Sequence, residues 1–91
     1  MFIVITYDIK NDRRRSLILN TLKNFGRWVQ YSVFECVLEP SQCDRLILKL
    51  SSLIKPSEDS IRFYIICEEC KRKVIILGRG SVTEEEEVYI V

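Results

Sequence analysis

The sequence predicts an α+β fold: a split βαβ, ferredoxin-like sandwich of order βαββαβ with an additional C-terminal strand. Three observations predict it. Strand-like and helix-like patterns alternate over residues 2–67 in the order strand, helix, one or two strands, helix, strand. The chain has 91 residues, enough for one domain but too few for an eight-fold βα barrel or a doubly wound dinucleotide fold. Its residues are 47% hydrophobic and 30% charged, a globular balance rather than a disordered one. A chain of this size buries only about 60–68% of its extended surface, which gives it reason to dimerise.

The elements follow in order. Phe2-Ile3-Val4-Ile5-Thr6-Tyr7-Asp8 is β-branched and aromatic, a central strand buried on both faces. Asn11-Asp12 start a helix over residues 12–25, with Leu17, Ile18, Leu22 and Phe25 at helical spacing and Gly26 as its stop. Trp28 to Leu38 is a second β region, and Gln30-Tyr31-Ser32 makes it two short strands or one bent one. Pro40 suits the first turn of a second helix, whose stripe is Leu46, Ile47, Leu50, Leu53 and Ile54 and which ends at Lys55-Pro56-Ser57. Ile61 to Cys67 alternates as a strand, Ile61, Phe63 and Ile65 on one face and Arg62, Tyr64 and Ile66 on the other. Val74–Leu77 adds a short strand, and Gly78-Arg79-Gly80 a turn. The domain therefore spans residues 1–77, with an extension over 78–91 that ends in the apolar Val88–Val91. An apolar strand hung past a complete unit must dock on its own sheet edge or on a partner's.

The chain has no histidine. That excludes a His-based triad, a His acid/base pair and a His metal ligand. Catalysis must come from carboxylates, cysteines, hydroxyls or a metal. The net charge of +1 hides an uneven distribution. Glu84–Glu87 hold four of the thirteen acids, so residues 1–83 set fourteen cations against nine acids, a net +5. A basic surface of this kind is compatible with a phosphate-rich partner, while the acidic run reads as solvated.

The cysteines are Cys36, Cys43, Cys67 and Cys70. Met1 leads straight into a strand pattern with no export signal, and no apolar run is long enough to span a bilayer, so a cytoplasmic location with reduced thiols and no membrane partner is expected. Cys67-Glu68-Glu69-Cys70 is a lone CxxC without a second half-site of zinc spacing, and Cys36 and Cys67 read as small apolar strand residues.

Asp8 is the first candidate for chemistry. A carboxylate at the end of a buried strand is accessible yet rigidly held, although Asp there can also cap a helix or close a turn. One carboxylate is a thin ligand set for Mg²⁺; a two-fold dimer apposing both copies of Asp8 would supply a second for phosphodiester cleavage. Arg13-Arg14-Arg15 oppose the helix macrodipole at a cost of a few tenths of a kcal/mol each, so they suit phosphate binding or a solvated face with one guanidinium paired to Asp12. Phe34 is a core residue or a dimer contact, and Glu35 a second acid near Asp8 or an exposed one.

Four linked motifs, Tyr7-Asp8-Ile9, the Arg13–Arg15 run, Gln30-Tyr31-Ser32-Val33-Phe34-Glu35-Cys36 and Asp59-Ser60-Ile61-Arg62-Phe63-Tyr64, resemble the CRISPR-associated protein two (Cas-two) family over residues 1–67. The resemblance implies a small ferredoxin-like homodimer of prokaryotic adaptive immunity. It implies that Asp8 faces its twin across the dimer axis as catalytic residue and Mg²⁺ (or other divalent cation) ligand, in an endonuclease acting on single-stranded RNA or double-stranded DNA. It also implies a complex with the CRISPR integrase (Cas-one family), in which the dimer holds the duplex of a new spacer. The extension would pack on the other subunit's sheet. Arg13, Arg14 and Arg15 would bind nucleic acid, and Tyr7 and Phe34 would be site or interface neighbours. The alternatives are a non-catalytic nucleic-acid scaffold and a ribonuclease toxin on the same fold.

Overall fold

The computed structural model describes residues 1–84 of the chain. Its elements are β1 (Phe2–Asp8), α1 (Asp12–Leu22), β2 (Arg27–Gln30), β3 (Val33–Val37), α2 (Pro40–Ser51), β4 (Ser60–Ile66) and α3 (Glu68–Arg72). The strands form one sheet in the order β2-β3-β1-β4, and every pairing is antiparallel. The expected βαββαβ core is present. Among the described residues no helix is long and apolar enough to cross a membrane.

The register sorts the side chains onto two faces. Ile3, Ile5 and Tyr7 of β1 align with Ile65, Phe63 and Ile61 of β4, and Ile3 and Ile5 with Cys36 and Phe34 of β3. This face meets Ile18 and Leu22 of α1 and Cys43, Leu46 and Leu50 of α2 in one core. Burying each large aliphatic or aromatic side chain there contributes about 1.5–3 kcal/mol. The opposite face carries Val4, Thr6 and Asp8 beside Val33, Glu35 and Val37 on one side and Ser60, Arg62 and Tyr64 on the other. On this face Phe2 is buried with Lys71 of α3 over its ring, but Val4 and Thr6 are only half-buried and Asp8 is exposed, so β1 is fully buried on one face rather than two.

Local chemistry sets the element ends. Asn11 caps α1 by accepting the Arg14 amide at 3.0 Å. The helix stops at Leu22, three residues before the expected end, because the Phe25 and Gly26 amides both turn back onto the Leu22 carbonyl. Gly26 then passes so close to β3 that a Cβ would lie 2.3 Å from Cys36 Sγ and 2.6 Å from the Glu35 carbonyl oxygen. Its smallness serves that approach as well as the stop. Glu39 and Gln42 form a capping box at the start of α2, with Pro40 in its first turn. Ile47 falls off the α2 stripe and is exposed. Gln30-Tyr31-Ser32 does split the second β region, and Tyr31 takes a positive φ of 37° in the turn.

Two further expectations are corrected. Val74–Leu77 is not a strand: among the described residues it pairs with no strand, and Ile75 and Leu77 are 83% and 91% exposed. Cys67 is not a buried strand residue, since β4 ends at Ile66 and Cys67 is the exposed N-cap of α3. That helix was not foreseen, because five polar and charged residues carry no apolar stripe. Cys36 is buried as expected, and burial pushes its thiol up to about 12. Val88–Val91 and Glu85–Glu87 lie outside the described residues.

Residues 81–84 run over the chain's own sheet. Thr83 is buried and donates from its amide (3.1 Å) and hydroxyl (2.7 Å) to the Glu35 carboxylate, while Arg27 donates to the Ser81 carbonyl. Lys71 lies 5.2 Å over the Phe2 ring and bridges to Glu84 at 3.1 Å.

Candidate active-site carboxylate and nucleic-acid surface

Asp8 closes β1 on the open face, opposite Ser60. Six ladder pairs with β4 precede it, so its backbone is held while its side chain remains 71% exposed. Lys10 Nζ reaches both carboxylate oxygens, at 3.3 and 3.4 Å. Between two exposed groups this contact is worth little, about 0–1 kcal/mol, and a phosphate or cation can displace it. Thr6, Tyr7, Asp8, Ser60, Arg62 and Tyr64 line an open cleft of about 360 Å³. Arg62 stands across from Thr6, one step of the pleat from Asp8, and donates to the Tyr64 hydroxyl at 3.3 Å. An exposed guanidinium can hold a phosphodiester oxygen, and an exposed carboxylate on the same face can take a cation. Arg62 and Tyr64 were not singled out as site residues from the sequence. The signal lay in the alternation of β4, which puts every second residue from Ser60 on the face of Asp8.

Asp59, one residue before Ser60, is the contrasting acid. Its side chain is fully buried. It accepts from Arg14 Nε (2.8 Å) and Nη2 (3.2 Å) and from the amides of Lys10 (3.1 Å) and Lys55 (2.9 Å). The Arg14 hydrogen bonds, aided by the two amides, hold this carboxyl well below the usual carboxylate range. Asp59 thus staples the loop after β1 to the loop before β4, directly under Asp8.

The arginine run separates into three environments. Arg14 is engaged by Asp59 and Glu58. Arg15 donates to the Ile9 carbonyl at 3.0 Å and pairs with Asp12, the partner expected for one of the three. Arg13 is exposed and makes no salt bridge among the described residues. Tyr7 and Phe34 lie on the core face, their ring centroids 6.4 Å apart, with Phe34 fully buried. They support the strand of Asp8 from beneath. Burial is the main cause that raises the Tyr7 phenol. Glu35 shares the open face with Asp8 but aligns with Val4, at the far side of the Thr6 rung, and is taken up by Thr83.

Among the described residues no three His, Cys, Asp or Glu side chains gather into a metal site. Among the described residues Asp8 therefore stands without a clustered second and third metal-ligating side chain. Two copies of Asp8 would meet the usual requirement of one or two carboxylates completed by water and phosphate oxygens.

The family model of "CRISPR associated protein Cas2" matches residues 1–74. The chain belongs to the Cas2 family. It is 40% identical to "CRISPR-associated endoribonuclease Cas2 3" of Chloroflexus aurantiacus, over 100% of this chain and 98% of that one. The crystal structure of Streptococcus pyogenes Cas2 superposes with a TM-score of 0.75 at 31% identity, covering 86% of this chain and 100% of that one. A chain of a partial Cas6-RT-Cas1–Cas2 complex superposes with a TM-score of 0.78 at 24% identity, covering 99% and 98%, a likeness of fold. Among Cas2 proteins, then, the ferredoxin-like architecture expected from the element order is the shared one.

Proposed function

We propose that this chain is a homodimeric endonuclease of CRISPR spacer acquisition that cleaves a phosphodiester at a site containing Asp8 from each copy. The observation that carries the reading is the exposed Asp8 carboxylate on a rigid strand end, one pleat from Arg62. Dimerisation through the open face is supported by its half-buried Val4, Val33 and Val37 and exposed Tyr64, by the free edge of β4 and by the exposed Val74–Leu77, which has no strand partner among the described residues. On this reading the exposed Val74–Leu77 packs on the partner, while residues 81–84 stay on their own chain's sheet through Thr83 and Glu35.

The Asp8 carboxylates of the two copies would hold a magnesium ion, which when bound would supply charge neutralisation at the phosphate and a more acidic water. The chain's own cations do the rest. Arg62 orients the phosphate beside Asp8, and Arg13, with the wider basic surface, holds the flanking backbone. Arg14 and Arg15 contribute mainly by holding the loop that positions Asp8. The "endoribonuclease" in the name of the Chloroflexus relative supports single-stranded RNA as substrate, with duplex DNA as the other candidate.

A second reading is favoured by one observation: Lys10 reaches both Asp8 carboxylate oxygens. On that reading the dimer is a non-catalytic scaffold that holds duplex DNA for the Cas1 integrase. Cleavage of single-stranded RNA and duplex DNA by the wild type and Asp8→Asn, with Mg²⁺ and with chelator, separates the two. Metal-dependent cleavage lost in Asp8→Asn supports the nuclease. Salt-sensitive duplex binding, unchanged by Asp8→Asn and without cleavage, supports the scaffold.

A further inference from the structure

Cys67 and Cys70 remain unused by the site. They sit three residues apart across the first turn of α3, both exposed, with the Cys70 amide donating to Cys67 Sγ at 3.4 Å. The other two cysteines are buried in the core. A zinc site needs four ligands, and among the described residues no third His, Cys, Asp or Glu joins this pair. What two adjacent thiols can do without further ligands is two-electron chemistry. We propose that Cys67 and Cys70 form a redox-active dithiol that closes to an intramolecular disulfide on reaction with a small-molecule disulfide.

The geometry is close to that required. Side chains three apart in a helical turn have Cβ atoms about 5–6 Å apart, and a disulfide spans about 3.5–4.5 Å. The turn must tighten by roughly an ångström, which a five-residue surface helix with no buried residue can do. The two thiols are also unequal. The Cys70 amide hydrogen bond lowers the Cys67 thiol below its ordinary value, and donation toward Cys67 raises that of Cys70. Cys67 is therefore the attacking sulfur and Cys70 the resolving one.

The step balances. The Cys67 thiolate attacks one sulfur of the small disulfide, whose S–S bond breaks, and the first small thiolate leaves and takes up a proton. The Cys70 thiolate then attacks Cys67 Sγ in the mixed disulfide and expels the second. The protein loses two electrons and two protons, and the small disulfide becomes two thiols. Lys71 follows directly, so closure stiffens the turn that presents Lys71 to Phe2 and Glu84.

The test is incubation of the full reduced chain with oxidised glutathione, followed by intact mass and peptide mapping. The wild type is expected to lose about 2 Da, with Cys67 linked to Cys70 in a single chain. Cys70→Ser should instead retain a glutathione adduct on Cys67, and Cys67→Ser should react at Cys70 about tenfold more slowly than Cys67 reacts in Cys70→Ser. Stable separate adducts on the wild type, a link to Cys36, Cys43 or a second chain, or no reaction would each overturn the proposal.

Discussion

Asp8 and Asp59 occupy the same end of the same sheet and differ in one respect, how many donors reach them. Asp59 is buried and accepts from one guanidinium and two backbone amides. Asp8, one strand over and facing Ser60, is 71% exposed and meets a single flexible lysine. The difference teaches where structure stops and chemistry begins in this chain. A carboxylate whose lone pairs are filled by the protein holds loops; one left short of donors on a rigid strand is free for a cation or a water attacking a phosphate.

The largest effect expected from breaking that contrast is on stability. Asp59→Ala strands Arg14 and two amides in a partly buried loop junction, and the thermal midpoint should fall on the order of 10 °C. Differential scanning calorimetry checks it; a fall no greater than that of Asp8→Ala would erase the distinction. A core control, Ile5→Ala, should cost about 2–5 kcal/mol in urea unfolding, because Ile5 is fully buried at the centre of β1.

Acid sharpens the same comparison. The folded state holds the Asp59 carboxyl below its unfolded value, so the unfolded chain binds that proton more tightly. The stability it contributes is complete above about pH 4 and is lost as pH falls below that, through the depressed value. Thermal midpoints between pH 5 and pH 3 should drop more steeply in the wild type than in Asp59→Asn. Equal slopes would assign the acid sensitivity to other carboxylates.

Smaller effects belong to the neighbours of Asp8. Arg62→Ala should weaken RNA binding about tenfold, with a shallower salt dependence and a thermal midpoint within about 2 °C of wild type. Fluorescence anisotropy at several salt concentrations reads both quantities. Lys10→Ala removes only an exposed pair, and should move stability by less than about 0.5 kcal/mol in urea unfolding.

The fold was legible because the unbroken β-branched run of β1, the alternation in β4 and the helical spacing in α1 and α2 leave few arrangements for residues 2–67. Asp8 was legible for a local reason, since it ends an unbroken strand pattern at a polar boundary. Asp59 was not, because its Arg14 and Lys10 partners lie 45 and 49 residues away in sequence. Arg14 is likewise indistinguishable in sequence from Arg13 and Arg15, and only the fold sets it against Asp59. Val74–Leu77 shows the converse failure. Its β-branched residues favour a strand, but a strand exists only where an edge pairs with it, and among the described residues neither sheet edge, β2 or β4, takes up this segment.

The most direct test compares Asp8→Asn with Asp59→Asn in one metal-dependent RNA cleavage assay, each paired with its thermal midpoint. Asp8→Asn should lose on the order of 100-fold or more in rate at an unchanged midpoint, while Asp59→Asn should lose midpoint and keep cleavage at temperatures where it remains folded. Full cleavage by a folded Asp8→Asn dimer would contradict the account.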